Sequence, residues 1–342
     1  MFRSRFSRRL LLLGLLALTA VAAAAATATA TAPGANGSIT FRRYLNDDQS
    51  WGAVFTIGRD GRGERQITGP EEGGVDDQPT WAPDGSLIAF TRCLEEQLCH
   101  VWTVAPDGSG LAPVGPPCPA GATEQSCSDD AGASFSPDSK RLAFVQSTGR
   151  IRTGAYTDGW IEHSAIAFMN RDGTGRRVIY QGRAFSGDAM HPVFSPDGKQ
   201  LVFERIASAF TLRSGQRAVF TIRVDGKQLR RLTPWDEYAG DNPDWSPDGK
   251  WIVFRSHVDD EGRQTQIFLI HPDGSGRRQV THFPKGTKLG SSSFAPDGKS
   301  LVISKGVANG NLHVFTIGLD GRHLRRVTHS ALWDSAPNWG PR

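Results

Sequence analysis

The sequence has none of the short signatures that announce familiar catalytic machinery. It contains no G-x-S-x-G elbow, no phosphate loop and no H-E-x-x-H helix. The expectation is therefore a protein that is not an enzyme. Surplus charge is missing as well. The chain has 39 Lys and Arg against 35 Asp and Glu, and removing Arg3, Arg5, Arg8 and Arg9 of the leader leaves 35 against 35. A balanced chain offers no electrostatic footprint for nucleic acid or an anionic membrane surface. Long hydrophobic runs are confined to Leu10–Leu18, too short to span a bilayer without the alanines that follow. Cysteine is scarce too. All 4 cysteines, Cys93, Cys99, Cys118 and Cys127, lie within one short stretch.

Residues 1–32, with their arginines, apolar stretch and several A-x-A sites, read as a secretory signal, and residues 33–38 as a linker. A retained membrane anchor is the alternative, and Ser7-Arg8-Arg9 before three leucines also fits a twin-arginine signal. In an exported protein an even number of clustered cysteines reads as disulfides, most simply Cys93 with Cys99 and Cys118 with Cys127. A zinc site is the other reading, but neither spacing is the tight C-x-x-C of structural zinc.

What fills residues 39–342 is a repeat. Asp241–Phe254, DNPDWSPDGKWIVF, recurs from Asp76, Asp129, Asp188 and Gly290, and begins once more at Asp334. In each copy an aromatic ends an extended run (Trp81, Phe135, Phe194, Trp245, Phe294, Trp339). The full copies continue with Pro-Asp-Gly, where Ser139 once replaces Gly. Proline presets the turn, aspartate bonds the local backbone and glycine accepts the left-handed geometry that closes a hairpin. A second hairpin follows in every unit, such as VFTIGRDG from Val54 and VFTIGLDG from Val314, and leads into a short Arg-rich strand. Two hairpins make a four-stranded antiparallel meander, here named A to D from the inside outward.

Such sheets cannot bury both faces alone, but several around an axis can. Ile39–Thr68 reads as strands B, C and D without an A, and Ser335–Trp339 as an A without the rest. The expected fold is all-β, a six-bladed β-propeller of four-stranded antiparallel blades, closed by the C-terminal strand A joining the N-terminal blade.

The A–B and C–D turns are tight and belong to one face; the longer B–C and D–A connections belong to the other, where binding residues sit on a rigid scaffold. Two residue classes recur there. Carboxylates lead into strand A: Asp77 (or Asp76), Asp130 (or Asp129), Asp188, Asp241 and Asp334. Ringed at the mouth of the central channel, they suit a cationic group or calcium; alternatively each bonds the backbone of its own loop. Aromatics are the second class, among them Tyr156, Trp160, Trp235, Tyr238 and Trp333, which serve recognition or plug gaps between blades. His163 and His191, with Asp188 and Glu162, are a further metal or lyase candidate. The paired arginines of the outer strands, such as Arg230 and Arg325, read as guards of exposed sheet edges.

The repeat W/F-S/A-P-D-G-K resembles the PD-type, WD-like repeats of the TolB family over about residues 39–342. That resemblance implies a six-bladed propeller in the cell envelope that binds a protein partner. Related repeats occur in the propellers of prolyl-oligopeptidase-like peptidases. The α/β domain that precedes the propeller in TolB is not expected here, so the resemblance is to the propeller and does not extend to a role in the Tol-Pal assembly. The resemblance carries no catalytic set. The expected function is an exported monomeric propeller, periplasmic, cell-surface or extracellular. It binds an envelope or extracellular protein, peptide or polymer through its loop face and has no cofactor beyond the calcium candidate. The rival is a lyase or hydrolase acting on a carbohydrate or small molecule at the channel mouth.

Overall fold

A computed structural model describes residues 33–94, 99–115, 127–148, 163–182, 189–207, 216–258, 264–308 and 310–342. The leader and the linker's boundary with it lie outside these residues. No helix among them is long and apolar enough to cross a membrane.

The strands pair as the repeat predicts. Four blades are separate four-stranded sheets, and the first two are joined into one sheet by a single parallel bridge between Gly52 and Val75. The inner strands are Val75–Trp81, Asp129–Phe135, Ala189–Phe194, Gly240–Trp245, Leu289–Phe294 and, for the N-terminal blade, Asp334–Pro341. This last strand pairs antiparallel with Asn36–Tyr44, placing Ile39 opposite Trp339 and Arg43 opposite Asp334. Blade 1 is thus assembled from both ends of the described chain, as the strand count requires.

The core is divided. Six clusters of buried side chains occupy the six seams between neighbouring blades. At the closing seam Ile39, Phe41 and Trp339 of blade 1 meet Ala295, Val302 and Val327 of blade 6. Between blades 4 and 5 Trp245 packs with Val202, Val219 and Phe254. The aromatic that ends each inner strand is one anchor of its seam, and burying such a side chain contributes about 1.5–3 kcal/mol.

The turn face locks the ring by a repeated device. Ser136, Ser195 and Ser246 donate to Asp138, Asp197 and Asp248 two residues on, at 2.6–2.7 Å, and those aspartates also accept the amides of Lys140, Lys199 and Lys250. The turn glycines pack on the preceding blade: a Cβ at Gly249 or Gly298 would stand 3.8 or 3.6 Å from Pro196 or Pro247. Ser139, which replaces glycine, keeps the left-handed backbone at φ 57°. It repays this with a hydrogen bond of its own, since its hydroxyl accepts the Asp84 amide at 3.1 Å.

The outer-strand arginines do more than guard edges. Arg65, Arg325 and Arg278 donate across seams to the carbonyls of Asp107, Asp60 and Leu319 on the next blade, at 2.5, 2.8 and 2.9 Å. Arg230 reaches the Asp273 carbonyl in the same way, and Arg177 reaches that of Val224 at 3.4 Å. Only the seam between blades 2 and 3 lacks such a latch among the described residues, because the outer strand of blade 2 is Ala112–Pro113.

Candidate functional site

The inner strands share an irregularity that the sequence does not advertise. Each carries a β-bulge, for example between Asp77 and Thr80, Met190 and Val193, and Gly240 and Asp244. Five place a residue with positive φ at the bulge: Gln78 (52°), Gly132 (61°), His191 (54°), Asn242 (60°) and Ala336 (51°). A bulge re-aims a side chain, and here these residues turn into the central channel, where Ser291 of blade 6 joins them. The channel encloses about 100 Å3 of space reachable by water. Prolines that follow four of the bulges (Pro79, Pro192, Pro243, Pro337) line part of its wall, together with Trp81 and Trp339.

Two blades meet across the channel. Gln78 Nε2 and His191 Nε2 lie 2.8 Å apart. Gly132, between them, makes this bridge possible, since a Cβ there would stand 3.2 Å from Gln78 Oε1. Burial pushes the His191 imidazole below its ordinary value, more than Glu204 and Asp77 raise it, and Arg217 lowers it further. The ring is therefore neutral at pH 7. With the Gln78 amide as donor, Nε2 accepts and Nδ1 carries the proton. That Nδ1 is buried and has no hydrogen-bond partner, and the same is true of Ser292 Oγ in the channel wall. A buried polar atom left unpaired costs about 1–3 kcal/mol, so this channel lining is not optimised for its own sake.

The predicted carboxylates have a different environment from an open anionic ring. Asp334 is fully buried and holds Arg43 Nε at 2.6 Å, and it also accepts from Ser330 at 2.9 Å. Burial pushes Asp334 up, but the bonds from His313 and Arg43 outweigh it and hold the carboxyl below its usual range. Asp77 pairs with Arg42 of blade 1 at 2.6 Å, Asp130 with Arg176 at 2.5 Å, and Asp76 with Arg92 at 2.6 Å. Asp241 pairs with Arg255, while its amide donates to Glu204, itself 2.9 Å from Arg217. Asp188 lies outside the described residues. Asp76, Asp77, Asp130, Asp241 and Asp334 thus each have an arginine, while Asp129 accepts the Cys99 amide; no cluster of three or more His, Cys, Asp or Glu residues suited to a metal occurs among the described residues.

Asp244 stands apart, and no motif singled it out. It stands directly before Trp245, where the other repeats have Thr80, Ser134, Val193, Ser293 and Asn338. Its oxygens accept the Trp245 and Phe294 amides, each at 2.9 Å. No cation is among its partners, so burial pushes the carboxyl up to about 6, against the pull of the Phe294 amide, the Ser293 hydroxyl and the Trp245 amide. The equivalent Asn338 makes the same cross-seam bond, accepting the Trp81 amide at 2.9 Å. A polar residue at this position therefore has a structural task that an amide performs without charge.

The predicted aromatics act as separate braces. Trp235, in a short 3-10 turn, packs 5.4 Å from Phe220; Tyr238 stacks on His257 at 4.9 Å; Trp333 lies under Lys288 at 5.4 Å. Tyr156 and Trp160 lie outside the described residues. His163 begins strand C of blade 3 and Glu162 lies outside, so the proposed histidine pair is represented here by His191 alone. Cys93 and Cys99 form a disulfide. Cys127 is also disulfide-bonded, and its expected partner Cys118 lies outside the described residues.

Six four-stranded blades closed around a polar and proline-lined channel define a six-bladed β-propeller. Residues 134–342 match the TolB beta propeller domain, and the chain belongs to that family. It is 26% identical over 187 residues to a dipeptidyl-peptidase 5 of Aspergillus fumigatus, covering 53% of this chain and 25% of that protein. The chain thus spans about a quarter of the length of this curated relative. Among solved structures it resembles TolB from Acinetobacter baumannii with a TM-score of 0.66 at 18% identity, over 90% of this chain and 67% of that one. It also resembles an oligogalacturonate lyase in complex with manganese, with a TM-score of 0.52 at 16% identity, over 87% and 74% of the two chains. These relatives correct one expectation. A protein read from missing motifs as no enzyme proves similar to a peptidase and a lyase, because a propeller shared with enzymes carries none of the motifs by which enzymes are recognised in sequence.

Proposed function

We propose that this chain is an exported propeller that binds an extended segment of an envelope or extracellular protein, peptide or polymer, with the channel as its binding site. The observation that carries the reading is that buried polar atoms without a hydrogen-bond partner, His191 Nδ1 and Ser292 Oγ together with Trp81 Nε1, belong to residues lining the channel. Groups kept unpaired at a cost are groups available to a ligand. The Cys93–Cys99 disulfide supports an oxidising compartment. The test is a plug. Thr80, half-buried in the channel wall, is changed to Trp, and wild type and variant are screened against a displayed peptide repertoire and purified cell-wall fragments. Selective binding by wild type that the plug removes, with a single cooperative unfolding transition retained, is the expected result. Equal binding by both would place recognition elsewhere.

A second reading has an observation of its own. Asp244, whose carboxyl burial pushes up to about 6, and His191, whose imidazole burial pushes down, both line one channel, and titratable groups shifted by burial in a cleft are what proton-transfer chemistry uses. The dipeptidyl-peptidase and oligogalacturonate lyase relatives direct the assay toward dipeptidyl amides and uronate oligomers. Turnover by wild type that disappears in Asp244→Asn would establish it.

A further inference from the structure

Most described buried carboxylates of the inner strands have an arginine partner, and Asp129 accepts the Cys99 amide. Asp76, Asp77, Asp130, Asp334 and the Glu204–Asp241 pair are each compensated by an arginine. Asp244, 7% exposed, is not: what faces it are the Trp245 and Phe294 amides and the Ser293 hydroxyl. The channel it lines contains no lysine or arginine among its described lining residues, and its histidine is held neutral. The cavity therefore carries a single negative charge with nothing inside it to balance that charge. Burying an uncompensated carboxylate is costly. The equivalent Asn338 makes the same structural bond without that penalty.

We propose that the channel holds a primary ammonium group, R–NH3+, against Asp244. The inference rests on the reading of the channel as a binding site and names the chemistry that enters it. Three features select this class of ligand. The charge is single, which suits a monocation. Ser292 Oγ, 3% exposed and without a partner, is an acceptor on the neighbouring inner strand for a second N–H. The proline and tryptophan wall suits the methylenes of an alkyl stem, as lysine stems lie on apolar surface. A lysine side chain and a peptide amino terminus share this chemistry.

The experiment is calorimetric titration of the purified chain with n-butylammonium at about pH 8 and about pH 5. Nα-acetyl-lysine amide and alaninamide separate a side-chain amine from a terminal one; potassium and tetramethylammonium are the controls. Saturable binding of butylammonium at the higher pH is expected, and it weakens about tenfold at the lower as a proton takes the ligand's place. The Asp244→Asn variant should lose binding while melting at or above wild type, which separates a lost site from a lost fold. Ser292→Ala should weaken binding severalfold and leave the fold intact. Absence of saturable heat from butylammonium, equal affinity in Asp244→Asn, or equal binding of either control cation would overturn the proposal. Amine binding without any recognition of peptides or polymers would remove the broader reading and leave this one standing. The reverse result would remove this one alone.

Discussion

The seam between blades 2 and 3 and the seam that closes the ring between blades 6 and 1 solve the same mechanical problem with different chemistry. At the closing seam Arg325 reaches the Asp60 carbonyl, Asn36 and Asp297 exchange two hydrogen bonds of 3.0 Å, and a buried cluster fills the space between. Blades 2 and 3 have no arginine reaching from the outer strand to a carbonyl; their arginine tie is on the turn face, where Arg171 pairs with Asp84 at 3.3 Å and donates to Ser86 at 3.0 Å. Their outer rims touch backbone to backbone, so that a Cβ on Gly173 would come within 2.2 Å of Gly115. On the loop face the disulfide-bonded Cys99 donates its amide to Asp129 Oδ1 at 2.5 Å and accepts the Asp130 amide at 2.9 Å. A covalently braced loop stands at the seam where the outer-strand latch is missing. The lesson is that a propeller seam needs a tie at its rim, and that the repeat leaves the kind of tie free.

The sharpest way to break the comparison is to open the closing blade. Truncation after Ser330 removes the inner strand of blade 1 and exposes the aromatic cluster at that seam. The expected cost exceeds about 5 kcal/mol, with loss of a single cooperative transition in urea; a truncated chain with the full-length midpoint would refute ring closure. Asp334→Ala should be next, at about 2–3 kcal/mol in the same titration, because it removes the buried one of the two carboxylates that hold Arg43 and leaves Glu64 alone on it.

The pH dependence should distinguish compensated from uncompensated carboxylates. Asp334 sits below its ordinary value, so its contribution is present above the usual carboxylate range and is lost as pH falls through it. Asp244 is raised to about 6, so the folded state holds its proton more tightly than the unfolded chain. Its contribution is full below pH 4 and is lost as pH rises toward 6, by about 3 kcal/mol. Asp244→Asn should flatten that part of the stability profile, measured by urea midpoints across pH, and Asp334→Asn should not.

Smaller effects test the rim ties themselves. Replacing Cys93 and Cys99 together by Ser should cost about 2 kcal/mol by chemical denaturation, since the closed loop is short. Arg325→Ala should cost about 1 kcal/mol, as an exposed hydrogen bond to a carbonyl. Ala112→Arg, at the position equivalent to Arg65, should recover a few tenths of a kcal/mol in the background lacking Cys93 and Cys99; no recovery there would mean that the two ties are not interchangeable.

The fold was legible because its determinants are local and repeated. Pro-Asp-Gly fixes one turn, Asp-Gly the other, and period-2 apolar strands fix which faces meet; the unpaired strand at Asp334 then dictated closure. The site was legible only in part. Asp241 and Asp334 could be placed at the head of their inner strands, but nothing in the spacing showed that Arg255 and Arg43 would neutralise them, because the partners lie on other strands. The bulges at Gln78, His191 and Asn242 are register shifts against the neighbouring strand that no spacing in the sequence shows, and so of the channel lining only His191 was singled out. Asp244 did leave a trace, a charged residue where the other repeats carry Thr, Ser, Val or Asn, and comparing the copies column by column would have exposed it.

The six separate seam clusters have a consequence for how such a chain tolerates change. Damage to one interior is insulated from the other five, because no common centre transmits a misfit around the circle. Each wedge can therefore be recoloured on its outward surface, or lengthen its loops, without renegotiating the whole. The residues on the shared axis have no such freedom, since a single bulky side chain there is felt by every wedge at once.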